Sequence, residues 1–389
     1  MAQAKPPVFV SLGMFILDEL RFPHLKTVSD VPGGSGFYAT LGARLFKPYP
    51  QSLDVGCIIL GGHDIPQSAV DLLESWRINL FLHRDPEQKC TRGLLQYEDD
   101  AFSRNTFDYV TPPLRPSPEH LVQSNLLHAQ AFHFLNLPAD LERNVTTLLR
   151  LRAEHGISTR PLIVWEPAPM GCTAAYLDAT LKACAHVDIF SPNRSELRAL
   201  LSGTRLSTSS SSSTTTTTEK QGDANDNTND EFSRSTIESQ ATHFLTAGIN
   251  PHKTGHAVIR AGEHGVLVQS LTHPPQWLPT YYTSIPSTPS TPSTSTTDNK
   301  NDENDKNKNK KKNKKVIDAT GAGNAFLGAF AVSFHDARPG DVVEACLRGA
   351  VAASFALEQF GPPTLSYSLW NGENVMTRLN ELKARISKT

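Results

Sequence analysis

One stretch of the sequence combines residue types that suit phosphoryl transfer. Residues 316–329 read VIDATGAGNAFLGA, which predicts a strand, a Gly-Ala-Gly turn and an apolar helix. Small residues let backbone N–H groups approach a ligand closely, and the N-terminus of the following helix adds partial positive charge where a phosphoryl group gathers negative charge. Gly321, Ala322 and Gly323 are therefore predicted to form an anion hole. The alternative is a glycine-rich connection that binds no ligand.

A second candidate group is an amide and a carboxylate that lie three residues apart. Asn193 and Glu196 follow the apolar run that ends at Phe190. Positions i and i+3 at a helix start share one face, so both side chains can point at one hydrated cation. The same spacing suits a capping box, with Asn193 as N-cap and Glu196 near N3.

Glycines mark two further candidate sites. The cluster at residues 33–36 precedes a helical pattern over 37–46, which places backbone N–H groups and a helix N-terminus at a site for a hydroxyl-rich or anionic ligand. Arg260 follows a strand-like run and precedes Gly262 and Gly265. Two glycines at this spacing are also common in an ordinary hairpin turn.

The elements that position these residues alternate between strand and helix. An apolar run from Val8 to Asp18 predicts a buried strand that delivers a carboxylate at its tip. Strands are also predicted at 55–60, 131–135, 162–165, 187–190 and 257–259, and helices at 68–76, 141–155, 174–185, 196–201 and 342–360. This alternation predicts a three-layer α/β fold with a mostly parallel sheet. Half-polar strands at 91–97 and 107–110 predict a small separate sheet that suits a lid.

Composition excludes several classes of protein. The formal net charge of −2 provides no basic field for nucleic acid, so small-molecule chemistry is favoured. The five cysteines have neither disulfide-framework nor zinc-site spacing, which favours a reducing compartment. The absence of a leader-like or long apolar run predicts a cytoplasmic or nuclear protein that does not bind membranes. Neither an HExxH, a GxSxG nor a GxxxxGK[ST] motif is present.

Two low-complexity stretches are predicted to be disordered insertions in a single domain that spans 1–389. The first, 207–235, is rich in Ser, Thr and Asn, and the second, 284–315, passes from Ser/Thr/Pro repeats to Asn and Lys. The lysine-rich end of the second insertion directly precedes the Gly-Ala-Gly stretch, and its alternative role is recruitment of RNA or an acidic partner.

Residues 318–324, DATGAGN, resemble the second signature of the ribokinase-like (PfkB-type) sugar kinases, Asp-Thr-x-Gly-Ala-Gly-Asp followed by Phe and Gly-Ala, with Ala319 in place of Thr. The GAGN form resembles a fungal branch of that superfamily, related to the yeast killer-virus maintenance protein. Weaker matches follow in the order of the family, at residues 13–18, 33–34, 61–64, 91–93, 166–167, 193–196 and 260–265. The resemblance implies a ribokinase-like fold with lid strands near 12–40 and 90–110.

The resemblance also implies transfer of the γ-phosphate of ATP to a sugar or other small alcohol. The acceptor would be bound by Asp18, Gly33, Gly34 and the residue at position 38, here Tyr38. The nucleotide would be bound by Asn193, Glu196, Arg260, Gly262, Gly265 and Thr320, with the 342–360 helix on the adenine side. Glu196 would hold Mg²⁺ through water, and Asp318 would hold a monovalent cation such as K⁺. The resemblance allows a homodimer and implies no membrane partner.

Two departures from the family bear on catalysis. The family has an Asp at position 324, where it accepts the proton of the attacking hydroxyl, and this chain has Asn324, whose carboxamide orients a hydroxyl but takes no proton near neutral pH. Many relatives carry a sugar-binding Asn where this chain has Tyr38. The sequence therefore leaves two hypotheses: a kinase for an unusual acceptor, or a nucleotide-binding pseudokinase with a regulatory or scaffold role.

Overall fold

The structure is a computed structural model that describes residues 5–99, 105–204, 232–282, 316–336 and 341–387. The insertions predicted at 207–235 and 284–315 lie outside these ranges, except for residues 232–235. There the chain already enters a helix, which begins at Arg234 and is capped by the Ser233 hydroxyl.

The strands in the described residues are, in chain order, β1 (Val10–Ser11), β2 (Ile16–Arg21), β3 (Val28–Gly33), β4 (Gly56–Gly62), β5 (Asn79–Asp85), β6 (Arg92–Tyr97), β7 (Asn105–Tyr109), β8 (Ala131–Asn136), β9 (Leu162–Pro167), β10 (Ile189–Phe190), β11 (His256–Arg260), β12 (Val266–Ser270), β13 (Gln276–Leu278), β14 (Leu365–Ser366) and β15 (Leu369–Trp370).

The α-helices are α1 (Ser35–Leu45), α2 (Gln67–Ser75), α3 (Pro138–Glu154), α4 (Leu177–Cys184), α5 (Arg194–Leu200), α6 (Arg234–Ala247), α7 (Ala322–Asp336), α8 (Val342–Ala356) and α9 (Val375–Ile386). None of these helices is both long enough and apolar enough to cross a membrane.

The central sheet has seven strands in the order β1-β8-β9-β10-β11-β12-β13. The first five are parallel, and β12 and β13 add an antiparallel edge. A parallel bridge between Phe9 and Val55 brings the β4-β5 pair alongside β1. The apolar runs predicted this arrangement because parallel strands are buried on both faces.

Two apolar clusters lie on opposite faces of the sheet. One includes Phe37 of α1, Phe330 of α7 and Phe355 of α8. The other includes Leu148 of α3 and Phe244 of α6. The molecule thus has three layers, which confirms the predicted α/β class with a mostly parallel sheet between helices.

A separate four-stranded sheet stands off the main body in the order β3-β2-β6-β7. Its formation corrects the single strand predicted from Val8 to Asp18. The chain leaves the central sheet after Ser11 and enters the small sheet at Ile16, so Asp18 lies in the small sheet and not at the tip of a central strand. Gly13 marks the break, because a side chain there would overlap Ser35 and the backbone of Gly36.

Helices α1 and α7 cross at unusually short range. A Cβ atom at Gly328 would overlap the Ala39 carbonyl, and one at Gly42 would overlap the Ala325 carbonyl. The two glycines therefore let the helix backbones touch, as small residues do wherever two helices must approach closely. Since α1 starts beside the 33–36 glycines and α7 starts in the Gly-Ala-Gly loop, this contact fixes two predicted ligand loops relative to each other.

Candidate active site

Polar side chains meet where the parallel strands of the central sheet end. Ser11 ends β1, Glu166 lies one residue before the end of β9, and Arg260 ends β11. His133 lies in β8 beside Ser11 in the sheet register. Ligands of open α/β sheets bind in the crevice at this edge.

The Gly-Ala-Gly loop enters α7 at this edge. The strand predicted at the start of the 316–329 stretch does not form at 316–318. The Ile317 N–H instead donates a hydrogen bond to the Leu357 carbonyl over 2.8 Å, just beyond the end of α8. Helix α8 ends at Ala356 and not at Phe360 as predicted; Gly361, with a φ of 75°, and Pro362 follow, and neither suits the continuation of a helix. The Asp318 carboxylate accepts hydrogen bonds from the Thr320 N–H (3.0 Å) and hydroxyl (2.8 Å).

Gly321 and Tyr38 form a tight contact at the start of α7. Gly321 has a φ of 76°, which favours glycine, and a Cβ atom there would overlap the Tyr38 ring. Tyr38 is 3% exposed. The structure therefore places the Tyr38 ring underneath the loop, where it packs against Gly321.

Arg260 lies directly against the loop. A Cβ atom at Gly323 would overlap the Arg260 Nη1 atom, so a side chain there would displace the guanidinium from its present position. Arg260 Nη2 lies 2.8 Å from Glu166 Oε1 and 3.7 Å from Glu196 Oε2, and it donates to the Ser191 carbonyl over 2.9 Å. One cation is thus held between two carboxylates beside the N-terminus of α7.

Asn324 joins the loop to the same cluster. Its Nδ2 donates a hydrogen bond to Glu166 Oε2. His133 Nε2 lies 3.6 Å from that oxygen, and His133 Nδ1 shares a 2.9 Å hydrogen bond with the Ser11 hydroxyl. A buried polar chain therefore runs from β1 through β8 and β9 to the first turn of α7.

The two carboxylates of the cluster differ in their ionisation. Burial alone would raise the pKa of Glu166, but the Arg260 charge and the neighbouring His133 outweigh it and hold that pKa below its ordinary value. Burial dominates at Glu196 and raises its pKa to about 7, although Arg260 opposes the shift. At neutral pH, Glu166 is therefore the carboxylate that stays ionised.

The spacing of Asn193 and Glu196 suits either a site for a hydrated cation or a capping box, and the structure shows the capping box. The Asn193 side chain accepts from the Glu196 N–H (2.8 Å), and Glu196 Oε2 accepts from the Asn193 N–H (2.7 Å). The predicted role of this pair toward Mg²⁺ stays a prediction. In the described residues, no three His, Cys, Asp or Glu side chains group as a ready metal site.

The hairpin alternative describes the Gly262 and Gly265 turn. These residues join β11 to the antiparallel β12 through a short 3₁₀ turn, with positive φ at both glycines. A Cβ atom at Gly265 would overlap the Leu278 carbonyl. The geometry of the turn thus explains why glycine occupies both positions. The predicted contact of these glycines with the nucleotide stays a prediction.

Asp18, which the sequence predicts to bind the acceptor, is a buried carboxylate of the small sheet. Asp18 is 6% exposed, and its carboxylate lies between Gly33 and Gly93. A Cβ atom at either glycine would lie 2.5 Å or less from a carboxylate oxygen. Oδ1 has no hydrogen-bond partner within the described part of the chain. Burial, together with the Asp318 charge, raises the pKa of Asp18 to about 7.

The Gly33-Gly34 turn meets Asp18 through the small sheet. Gly33 pairs with Ile16 in the β2-β3 ladder, and Gly34 has a φ of 91° at the start of α1. A Cβ atom at Gly34 would clash with the Met14 carbonyl. The structure thus brings Asp18, Gly33 and Gly34 together as expected for one acceptor site.

Three residues of the cluster were not among the predicted site residues. The sequence indicates Glu166 only through the weak match at 166–167, and it does not indicate His133 or Ser11 as site residues. A histidine inside the apolar run 131–135 was the available signal, because a buried polar side chain needs a partner.

Comparison with known proteins gives the chain its relatives. No family model matches the sequence. The uncharacterized protein C16C9.01c of Schizosaccharomyces pombe is 31% identical over 384 residues, which cover 97% of this chain and 93% of the relative. The chain belongs to the family of this fission-yeast protein. The protein MAK32 of Saccharomyces cerevisiae is 26% identical over 391 residues, which cover 98% of this chain and 92% of MAK32.

Solved structures confirm the ribokinase-like fold of this chain. Ribokinase from Giardia lamblia matches with a TM-score of 0.64 at 13% identity, covering 98% of this chain and all of that chain. Anopheles gambiae adenosine kinase matches with a TM-score of 0.62 at 15% identity, covering 93% and 100%. A putative ribokinase II from E. coli, solved with ATP and Mg²⁺, matches with a TM-score of 0.59 at 15% identity, covering 99% and 100%.

Proposed function

We propose that this protein is a kinase that transfers the γ-phosphate of ATP to a hydroxyl of a sugar or other small alcohol. The observation that carries the proposal is the Arg260 guanidinium, which lies against Gly323 at the N-terminus of α7. A helix N-terminus and a guanidinium are both strong phosphate-binding groups, and here they converge on one position. The solved kinases of the same fold support this assignment.

The acceptor is assigned to the Asp18 side of the crevice. A buried carboxylate oxygen without a partner loses the hydrogen bonds that water would give it, and a bound hydroxyl restores one. Gly33 and Gly93 leave room for the carboxylate between them. Asp18, Gly33 and Gly34 are therefore the proposed acceptor residues, with Tyr38 shaping the loop from beneath.

The nucleotide would enter with Mg²⁺, which is bound in proteins through a few carboxylates together with substrate phosphates and water. The metal would neutralise the charge that develops on the phosphates, and Glu196 is the carboxylate proposed to reach it through water. Asn193, Arg260, Gly262, Gly265 and Thr320 are the proposed nucleotide-side residues, and Asp318 is proposed to hold K⁺ near the loop.

The experiment is ATP-dependent phosphorylation of a panel of sugars, polyols and nucleosides by the wild-type chain. We expect turnover on at least one acceptor, and we expect Gly323→Val to abolish it, because the added side chain takes the place of the guanidinium. Thr246→Val on the exposed face of α6 is the control and should behave as wild type. A silent wild type that still binds ATP would contradict the proposal.

The alternative, a nucleotide-binding pseudokinase, is favoured by one observation: Asn324 is an amide that cannot accept the proton of an attacking hydroxyl. Under this alternative, Asn324→Asp creates phosphorylation of the panel while the wild type shows none. Turnover by the wild type that is lost in Gly323→Val would exclude it.

A further inference from the structure

Position 324 carries an amide, yet an ionised carboxylate lies one hydrogen bond away from it. Glu166 Oε2 accepts from Asn324 Nδ2, and the two residues are 158 positions apart in the sequence. Glu166 lies one residue before the end of β9 at the crevice, and its side chain is 8% exposed. The carboxylate that is missing from the loop is therefore present on the opposite side of the same contact.

We propose that Glu166 is the general base of the phosphoryl transfer and that Asn324 positions it. This inference rests on the proposed kinase function. The hydroxyl proton of the acceptor would pass to a Glu166 carboxylate oxygen while the acceptor oxygen bonds to the γ-phosphorus. The bond from that phosphorus to the departing ADP oxygen would break in the same step, and neutral Glu166 would then release its proton to water.

Glu166 differs from the other two carboxylates of the crevice in its ionisation and in its contact with the loop. Asp18 and Glu196 have pKa values raised to about 7, so each is partly protonated at neutral pH, whereas the pKa of Glu166 lies below its ordinary value. Glu196 is also engaged by the Asn193 N–H in the capping box. Glu166 is the one of the three that contacts the loop at Asn324.

Arg260 gives the site a way to raise the basicity of Glu166 when phosphate arrives. In the described structure the guanidinium lies 2.8 Å from Glu166 and lowers its proton affinity. The same guanidinium lies against Gly323, where the phosphate would bind. Phosphate oxygens compete with Glu166 for Arg260, so nucleotide binding would weaken the ion pair and leave a stronger base.

His133 of β8 and Ser11 of β1 form the part of the polar chain next to Glu166. His133 is fully buried, its Nε2 lies 3.6 Å from Glu166, and its Nδ1 is fixed by the Ser11 hydroxyl. His133 Nε2 has no hydrogen-bond partner in the described residues, so its effect on Glu166 is through charge and packing. Asn324 and Arg260 are the residues that contact the carboxylate oxygens and position them.

The test compares Glu166→Gln, Asn324→Asp and the double swap with wild type, measuring turnover and nucleotide affinity for each. We expect Glu166→Gln to lower kcat by roughly 10² to 10⁴, the usual contribution of a general base. Nucleotide affinity should stay equal or become tighter, because Arg260 loses a competing carboxylate. The swap restores a carboxylate and an amide in exchanged positions, so its kcat should exceed that of Glu166→Gln by about 10-fold or more. Glu154→Gln, on the exposed face of α3, is the matched control.

Three outcomes would overturn the proposal, and they are distinguishable. A wild type that binds ATP but phosphorylates no acceptor removes the kinase function and this role with it. An active wild type with Glu166→Gln within twofold of its kcat removes the base role alone. If Glu166→Gln loses nucleotide affinity and the swap recovers nothing, Glu166 only holds Arg260 in place.

Discussion

Replacing the buried carboxylate of Asp18 tests the acceptor site through the pH dependence of stability. Burial and the Asp318 charge raise the pKa of Asp18 from 3.8 to about 7. The folded protein therefore binds this proton more tightly than the unfolded chain, and the group costs stability as pH rises from about 4 to about 7. Asp18→Asn keeps the shape and removes the titration.

The expected gain follows from the size of the shift. One pKa unit corresponds to 1.36 kcal/mol, so a rise of about three units gives an upper limit of about 4 kcal/mol above pH 7. Asp18→Asn should therefore be more stable than wild type near pH 8, with little gain near pH 4. The variant should also lose acceptor binding while it keeps nucleotide affinity.

The assay is urea unfolding of wild type and variant at several pH values between about 4 and 8. Asp108→Asn, on the exposed strand β7, is the control for removing a negative charge at the surface. A stability difference between Asp18→Asn and wild type that does not change with pH would refute the reasoning.

Two further predictions concern packing. Gly328→Ala should destabilise the fold by about 1–3 kcal/mol, because its methyl group meets the Ala39 carbonyl and overpacking outweighs the gain in helix propensity; an unchanged thermal midpoint would contradict this. Arg378→Met should cost about 3–5 kcal/mol in urea unfolding, because it removes the cation that balances the buried Glu358 carboxylate, 2.6 Å from Arg378 Nη2. A loss below about 1 kcal/mol would show that water reaches Glu358.

The central sheet was predictable from the sequence because its parallel strands are largely buried and read as apolar runs. The Gly-Ala-Gly loop was predictable because its glycines are required locally by a positive φ and by close neighbours. The break after Ser11 was not predictable from the sequence. Leu12, Met14 and Phe15 lie within the break and are buried, and hydrophobicity does not distinguish a strand from a buried crossing between two sheets.

Arg260 and Asn324 are predicted from the sequence, but their contacts with Glu166 are not, for a different reason. Glu166, Arg260 and Asn324 come from distant parts of the chain, and only the sheet order brings β9 beside the start of α7. A single sequence indicates which residues can carry charge. It does not indicate which pairs meet.

The backbone contact between α1 and α7 also has a thermodynamic consequence. Under the proposed function, an acceptor that orders the start of α1 would restrain α7 through Gly42 and Gly328, and the Gly-Ala-Gly loop with it. The second ligand to arrive then has less conformational entropy to lose, so each ligand should tighten the binding of the other. Linkage requires that the acceptor raises the affinity for the nucleotide by the same factor by which the nucleotide raises the affinity for the acceptor, whichever ligand binds first.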